Sequence, residues 1–93
     1  MRTIEWTGQF KRDYRRESRG RYRAMLDKIL FPVVDLLAKN LPPEARLRDH
    51  ALTGDWKDHR DCHIRPDLVL IYHKPDEATL RLVRLGSHSE LGF

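Results

Sequence analysis

Apolar residues recur at helical spacing in the first half of the chain and alternate with polar ones in the second half. Arg2 to Trp6 alternates, with Ile4 on one face, which predicts a first strand. Thr7 is suited to N-cap a helix from about Gly8, with Phe10 and Tyr14 one turn apart on the same side. Gly20 is expected to end that helix as a left-handed C′ residue. A second helical stretch is expected from about Arg21 towards Ala38, along the stripe of Tyr22, Met25, Leu26, Ile29, Leu30, Val33, Leu36 and Leu37. Pro32 interrupts it and should kink or restart the helix near Phe31. Leu41-Pro42-Pro43 closes the helical part.

Beyond this point the period is two. His59 to Ile64, Leu68 to Lys74 and Thr79 to Ser87 read as strands, with reversals at Arg65-Pro66-Asp67-Leu68 and Lys74-Pro75-Asp76-Glu77. One strand, two helices and an antiparallel β-meander make an α+β domain spanning residues 1–93, with helices on one sheet face and the other face open.

Alternation also sorts side chains between the faces. Cys62 and Ile64 should face the helices, which turns His59, Asp61 and His63 outward. If the Pro66 turn sets Ile64 beside Val69, then Val69 and Ile71 face the core, and Leu68, Leu70 and Tyr72 join His63. On the last strand Val83 and Leu85 fit the core, leaving Leu82, Arg84, Gly86 and His88 open. His63, Arg84 and His88 then converge on one face, with Asp67 at the adjacent turn.

Composition narrows the class. Ninety-three residues, 34% charged and 40% hydrophobic, suit one soluble domain with a modest core and exclude large multilayer enzyme folds. The single cysteine, Cys62, forms no internal disulfide and no metal-binding Cys pair, and is expected to be a small core residue. The N-terminus lacks the apolar run of a signal peptide, and no stretch approaches the ~18 apolar residues of a membrane span. Both points favour a cytoplasmic protein.

The net charge of +4 is unevenly spread. Lys11, Arg12, Arg15, Arg16, Arg19, Arg21 and Arg23 are opposed locally only by Asp13 and Glu17, a net of +5 in thirteen residues that leaves about −1 for the rest. Such a cluster favours a polyanionic partner through counterion release, and it also suits an acidic protein.

Histidine with arginine on one face supplies the parts for cutting RNA without a metal. A base removes the 2′-OH proton, a cation stabilises the phosphorane-like charge, and an acid protonates the leaving 5′-oxygen. Histidine serves as either base or acid near neutral pH, and arginine grips phosphate oxygens bidentately. The products are a 2′,3′-cyclic phosphate and a 5′-hydroxyl.

The candidate residues sit in a distinctive frame: Asp49-His50-Ala51-Leu52, the stretch from Trp56 to Asp67, and Gly86-Ser87-His88-Ser89-Glu90-Leu91. This frame resembles the YafQ branch of the RelE-type toxins, small ribonucleases of bacterial toxin–antitoxin pairs. The element order is similar over the full length. The resemblance implies a RelE-like fold and an mRNA-cleaving toxin that works on the ribosome, needs no metal or other cofactor, and is silenced by a cognate antitoxin with an acidic or partly disordered segment. It implies catalytic roles for His50, His63, Asp67 and His88. His88 is the first choice as general acid and His50 or His63 the base, while Asp67 orients a histidine. Arg84 is expected to bind phosphate, Phe93 to reach the substrate, Gly86 to let the RNA backbone approach, and the segment from Lys11 to Arg23 to face rRNA or antitoxin. Two positions depart from the family pattern: Leu68 stands where an aromatic is common, and Gly92 separates Leu91 from Phe93. A rival reading within the superfamily is a ParE-like toxin that inhibits by binding alone, and a third is an RNA- or ribosome-binding module whose basic helix does all the work; a metal-dependent nuclease using Asp55, Asp58, Asp61 and Asp67 is a weaker one.

Overall fold

Thr7 both ends the first strand and starts the first helix. Strand β1 covers Thr3–Trp6 and helix α1 Gly8–Glu17. The Thr7 hydroxyl oxygen accepts from the Phe10 amide at 3.1 Å and lies 3.0 Å from the Leu82 carbonyl, tying the cap to the sheet. This computed structural model describes residues 1–92.

Gly20 does not terminate α1 as expected. The helix stops at Glu17, and the amides of Ser18, Arg19 and Gly20 donate to the carbonyls of Tyr14, Arg16 and Glu17. These tightening bonds satisfy the last turn without a left-handed residue. Turns carry the chain to helix α2, Leu26–Ala38, which starts five residues later than expected. Nor does the helix restart at Pro32, which lies on its exposed side. An internal proline costs about 3 kcal/mol. Burial of Leu26, Leu30, Val33, Val34, Leu37 and Ala38 offsets it, at about 1.5–3 kcal/mol for each large side chain.

The sheet has the order β1-β5-β4-β3-β2. Strands β3 (Arg60–Arg65), β4 (Leu68–Asp76) and β5 (Thr79–Gly86) form the antiparallel meander. Strand β1 joins β5 in parallel, and the two-residue β2 (His50–Ala51), unforeseen from the sequence, pairs with β3. Helix α3, His88–Leu91, follows β5. The fold is α+β, with helices covering one sheet face.

That covered face joins Phe10, Leu30, Val34 and Leu37 to Cys62, Ile64, Leu68, Leu70, Tyr72, Leu80, Leu82 and Leu85. Several face assignments are therefore reversed. Leu68, Leu70, Tyr72 and Leu82 belong to the main core, whereas Val69, Ile71 and Val83 form a small cluster with Leu91, Leu52 and Trp56 on the other face. Two bulges cause the reversal. Cys62 pairs with Leu70 and His63 with Val69, but Arg65 pairs with Leu68, leaving Ile64 extra. In β5, Leu85 pairs with Leu70 and Leu82 with Tyr72, so the register slips between them and both leucines face the core. One inserted residue flips every later side chain. His63 nonetheless keeps the expected face, and buried Leu68 offers no stacking surface for a base.

Candidate active site

The sheet register brings two histidines together. His50 on β2 is the partner of Asp61, and Asp61 that of Ile71 on β4, so all three share the face of His63 and Val69. The His50 and His63 rings lie 6.1 Å apart at 22°. His88 comes from the other end of the sheet, on the first turn of α3, and its ring is 5.3 Å from that of His63. The Nε2 atoms of His63 and His88 are 3.3 Å apart, within hydrogen-bond reach when one of the two carries the hydrogen.

The contacts of His50 select its tautomer. Its Nδ1 is 2.8 Å from the Arg48 carbonyl and 2.9 Å from Oδ1 of Asp61. A carbonyl only accepts, so Nδ1 carries the hydrogen and Nε2 of neutral His50 holds a lone pair. That is the form a base requires. Asp61 lies beneath the histidines at 4% exposure. Burial raises its pKa most strongly, while His50 and His63 pull it down. Nδ1 of His63 is buried without a hydrogen bond among the described residues.

Asp49 anchors the strand that bears His50. Its carboxylate accepts from Arg60 at 2.6 Å and from the Tyr72 hydroxyl, with the Cys62 thiol at 3.5 Å. Burial pushes the Cys62 thiol well above its ordinary range, which suits a core residue and not a nucleophile.

His88 is held by its own helix. Ser87 and Glu90 form a capping box, and Asp67, on the exposed β3–β4 turn, lies 3.4 Å from both the amide and Nδ1 of His88. Arg16 braces the same turn: its Nε is 2.9 Å from Glu90, and its Nη2 donates to the Leu85 carbonyl at 2.7 Å. Gly86 leaves room for this brace, because an added Cβ would stand 2.6 Å from Arg16 Nη2.

Not every expected residue joins the site. Arg84 points to α1, where its Nε lies 2.6 Å from buried Asp13; its charge is committed to holding the helix on the sheet. Alternation gave its face rightly, since Arg84 pairs with Ile71 on the side of His63, but could not show the ion pair with Asp13. Arg16 likewise leaves the set of freely exposed cations. Lys11, Arg12, Arg15, Arg19, Arg21 and Arg23 remain exposed along α1 and the following turns. Phe93 lies outside the described residues. Among those residues, no three His, Cys, Asp or Glu side chains group so as to hold a metal ion, so Asp55, Asp58, Asp61 and Asp67 do not form a cluster.

Sequence reasoning missed three arginines. A cleft of about 470 Å³ opens beside His63 and His88 and is also lined by Arg46, Arg48, Ile64, Arg65 and Pro66. The signal was there to read, since Arg48 stands two residues before His50 and Arg65 two after His63.

A small α+β sheet with three histidines on its uncovered face and a cationic cleft beside them matches a known class of toxin fold. The chain belongs to the family described as bacterial toxin of type II toxin-antitoxin system, YafQ, whose model matches residues 2–92. The mRNA interferase toxin YafQ of Escherichia coli K12 is 38% identical over 91 residues, covering 98% of this chain and 96% of that protein. A copper-bound mutant toxin from Helicobacter pylori superposes with a TM-score of 0.88 at 38% identity, over 98% of this chain and 99% of that one. The toxin of the E. coli DinJ–YafQ toxin–antitoxin complex does so with a TM-score of 0.83 at 38% identity, over 97% and 96%. No helix among the described residues is long and apolar enough to cross a membrane.

Proposed function

We propose that this chain is an endoribonuclease toxin that cleaves mRNA by histidine acid–base chemistry and is neutralised by a cognate antitoxin. His50, with Nδ1 tied to the Arg48 carbonyl and Asp61, takes the 2′-OH proton on Nε2. The 2′-oxygen attacks the adjacent phosphorus and the bond to the 5′-oxygen breaks. The leaving oxygen takes a proton from the His63–His88 pair, with His88 as the releasing ring and Asp67 3.4 Å from its Nδ1. The scheme uses only side chains of this chain. The relatives named mRNA interferase support it, and the 3.3 Å contact between His63 and His88 is the observation that carries it.

The exposed cations from Lys11 to Arg23, Arg16 excepted, support docking on rRNA, so that cutting occurs on the ribosome in the cytoplasm. They equally suit an acidic antitoxin segment, in line with the antitoxin complexes of the E. coli relative. A single 2′-deoxy substitution at the cut position tests the reaction. Cleavage should cease on that substrate, and the normal substrate should yield 5′-hydroxyl and cyclic or 3′-phosphate ends, with EDTA present where ribosomes are not needed. Efficient cutting of the 2′-deoxy substrate would rule out attack by the 2′-OH.

A further inference from the structure

The arginine-lined cleft has features that the acid–base scheme leaves unused. Its seven lining residues include three arginines and no carboxylate. Arg46 is partnered by exposed Glu44 at 2.8 Å. Among the described residues, Arg65 donates only to the Ile64 carbonyl and Arg48 forms no ion pair. Two guanidinium charges therefore face the cleft without compensation, a few residues from the reacting groups.

The backbone at Arg48 adds an independent observation. Arg48 sits in the left-handed region, at φ 48° and ψ 42°, where residues other than glycine are uncommon. It is fixed from both sides. The Arg48 carbonyl is held by His50 Nδ1, and the next residue, Asp49, is locked by Arg60 and Tyr72. The strained turn thus serves two ends: it sets the tautomer of His50 and starts the Arg48 side chain at the cleft wall. The volume of about 470 Å³ is also too large for one phosphate. At roughly 30 Å³ per water it has room for about fifteen waters, which is a nucleotide-sized space.

We infer that this cleft is a subsite for the nucleotide adjoining the cut, with Arg48 and Arg65 gripping the phosphodiester next to the scissile one. The inference rests on the RNA-cleaving reading and assigns the substrate path: the reacting phosphate at the histidines, its neighbour in the cleft. Guanidinium suits this task because it grips phosphate oxygens bidentately and stays charged at any physiological pH. Contacts of this kind position the strand without reading its bases, so Arg48 and Arg65 should govern affinity and alignment more than base preference.

The probe is a short, fully 2′-O-methylated oligoribonucleotide, which binds but cannot be cut, followed by fluorescence anisotropy across a salt series. Replacing Arg48 and Arg65 together with Gln should weaken binding on the order of 10-fold. It should also flatten the log–log salt slope by roughly 0.7, the value for one single-strand phosphate contact. A neutral methylphosphonate at the linkage beside the cut position should lower wild-type affinity to the level of the double variant, and leave the double variant indifferent. Arg48→Lys with Arg65→Lys should restore the slope but only part of the affinity. Unchanged affinity and slope in the folded Gln variant would overturn the subsite, as would an equal methylphosphonate effect in both proteins or no binding by the wild type. Binding needs no cleavage, so the two ideas fail separately. Normal binding of the oligonucleotide by a protein that leaves ribosome-bound mRNA uncut would sink the nuclease reading alone.

Discussion

Truncation of Asp13 should be among the most damaging single changes to this fold, although Asp13 lies on a helix whose sequence suggests a charged surface. Its carboxylate is 4% exposed and accepts from Arg84 Nε at 2.6 Å, from Arg16 Nη1 at 3.0 Å and from the Leu85 amide at 3.0 Å. In Asp13→Ala the buried Leu85 amide loses its partner, at about 1–3 kcal/mol. Arg84, with a side chain only 20% exposed, keeps its charge without a counterion. Breaking a buried pair in this way costs about 3–5 kcal/mol in total. Arg16 adds little, because it is 40% exposed and retains Glu17 and Glu90. At roughly 4–8 °C per kcal/mol for a domain this size, the melting temperature should fall by about 12 °C or more. Asp13→Asn keeps an acceptor for the Leu85 amide and should lose less. Thermal and urea melts of both variants measure the effect. An Asp13→Ala protein within ~0.5 kcal/mol of wild type, the range of an ordinary surface change, would refute the idea that this carboxylate fastens α1 to β5.

Asp61→Asn should separate stability from activity. Burial raises the Asp61 pKa, so between its unfolded and folded values the native protein binds more protons, stability falls as pH rises, and the charged form is penalised above that window. The amide removes the penalty, so melting at neutral pH should be unchanged or higher while cleavage falls by about 10-fold or more as His50 loses its anion; a lower melting temperature with an intact rate would contradict this. Arg16→Gln should slow the cleavage step while ribosome affinity holds, because Arg16 braces the turn that bears His88; weaker ribosome binding at an unchanged rate would return Arg16 to the docking surface. Replacing Arg12, Arg15 and Arg19 with Gln should do the reverse, weakening ribosome binding and flattening its salt dependence by up to about one unit per lost phosphate contact. An unchanged salt slope would leave that face merely solvated.

Much of this architecture could be read from local chemistry. Thr7 announces the start of α1, and Pro66 lies in the first reversal of the meander, whereas Pro75, read as part of the second, belongs to β4, and the chain turns at Glu77-Ala78. The histidine frame led to the site because strand alternation and the motif text agreed on His63 and His88. The bulges were invisible, since alternation gives a face only while no residue is inserted, and both the Arg65 end of β3 and the middle of β5 break it. That break sent Leu68 and Leu82 into the core, while Arg84 kept its face and was lost to the site only through its ion pair with Asp13. Long-range pairing was equally hidden. Nothing in the spacing of Arg16 distinguishes it from Arg15 or Arg19, yet it alone among the three reaches Glu90 and the Leu85 carbonyl, and Gly86 is small for its sake. Arg48 and Arg65 are the opposite case, because each stands two residues from a site histidine, a spacing legible in the chain itself.

The most direct test of the histidine chemistry is the single-turnover cleavage rate of His88→Ala, measured at saturating protein on the substrate that the wild type cuts. His88 lies half-exposed at the start of a four-residue helix whose capping box needs only Ser87 and Glu90, so the variant should fold, and saturating protein removes any change in binding. Loss of a positioned acid should slow the chemical step by about 10²–10⁴-fold, roughly 2.7–5.4 kcal/mol of barrier. A folded His88→Ala protein that cuts at the wild-type rate would contradict the assignment of the proton to the His63–His88 pair.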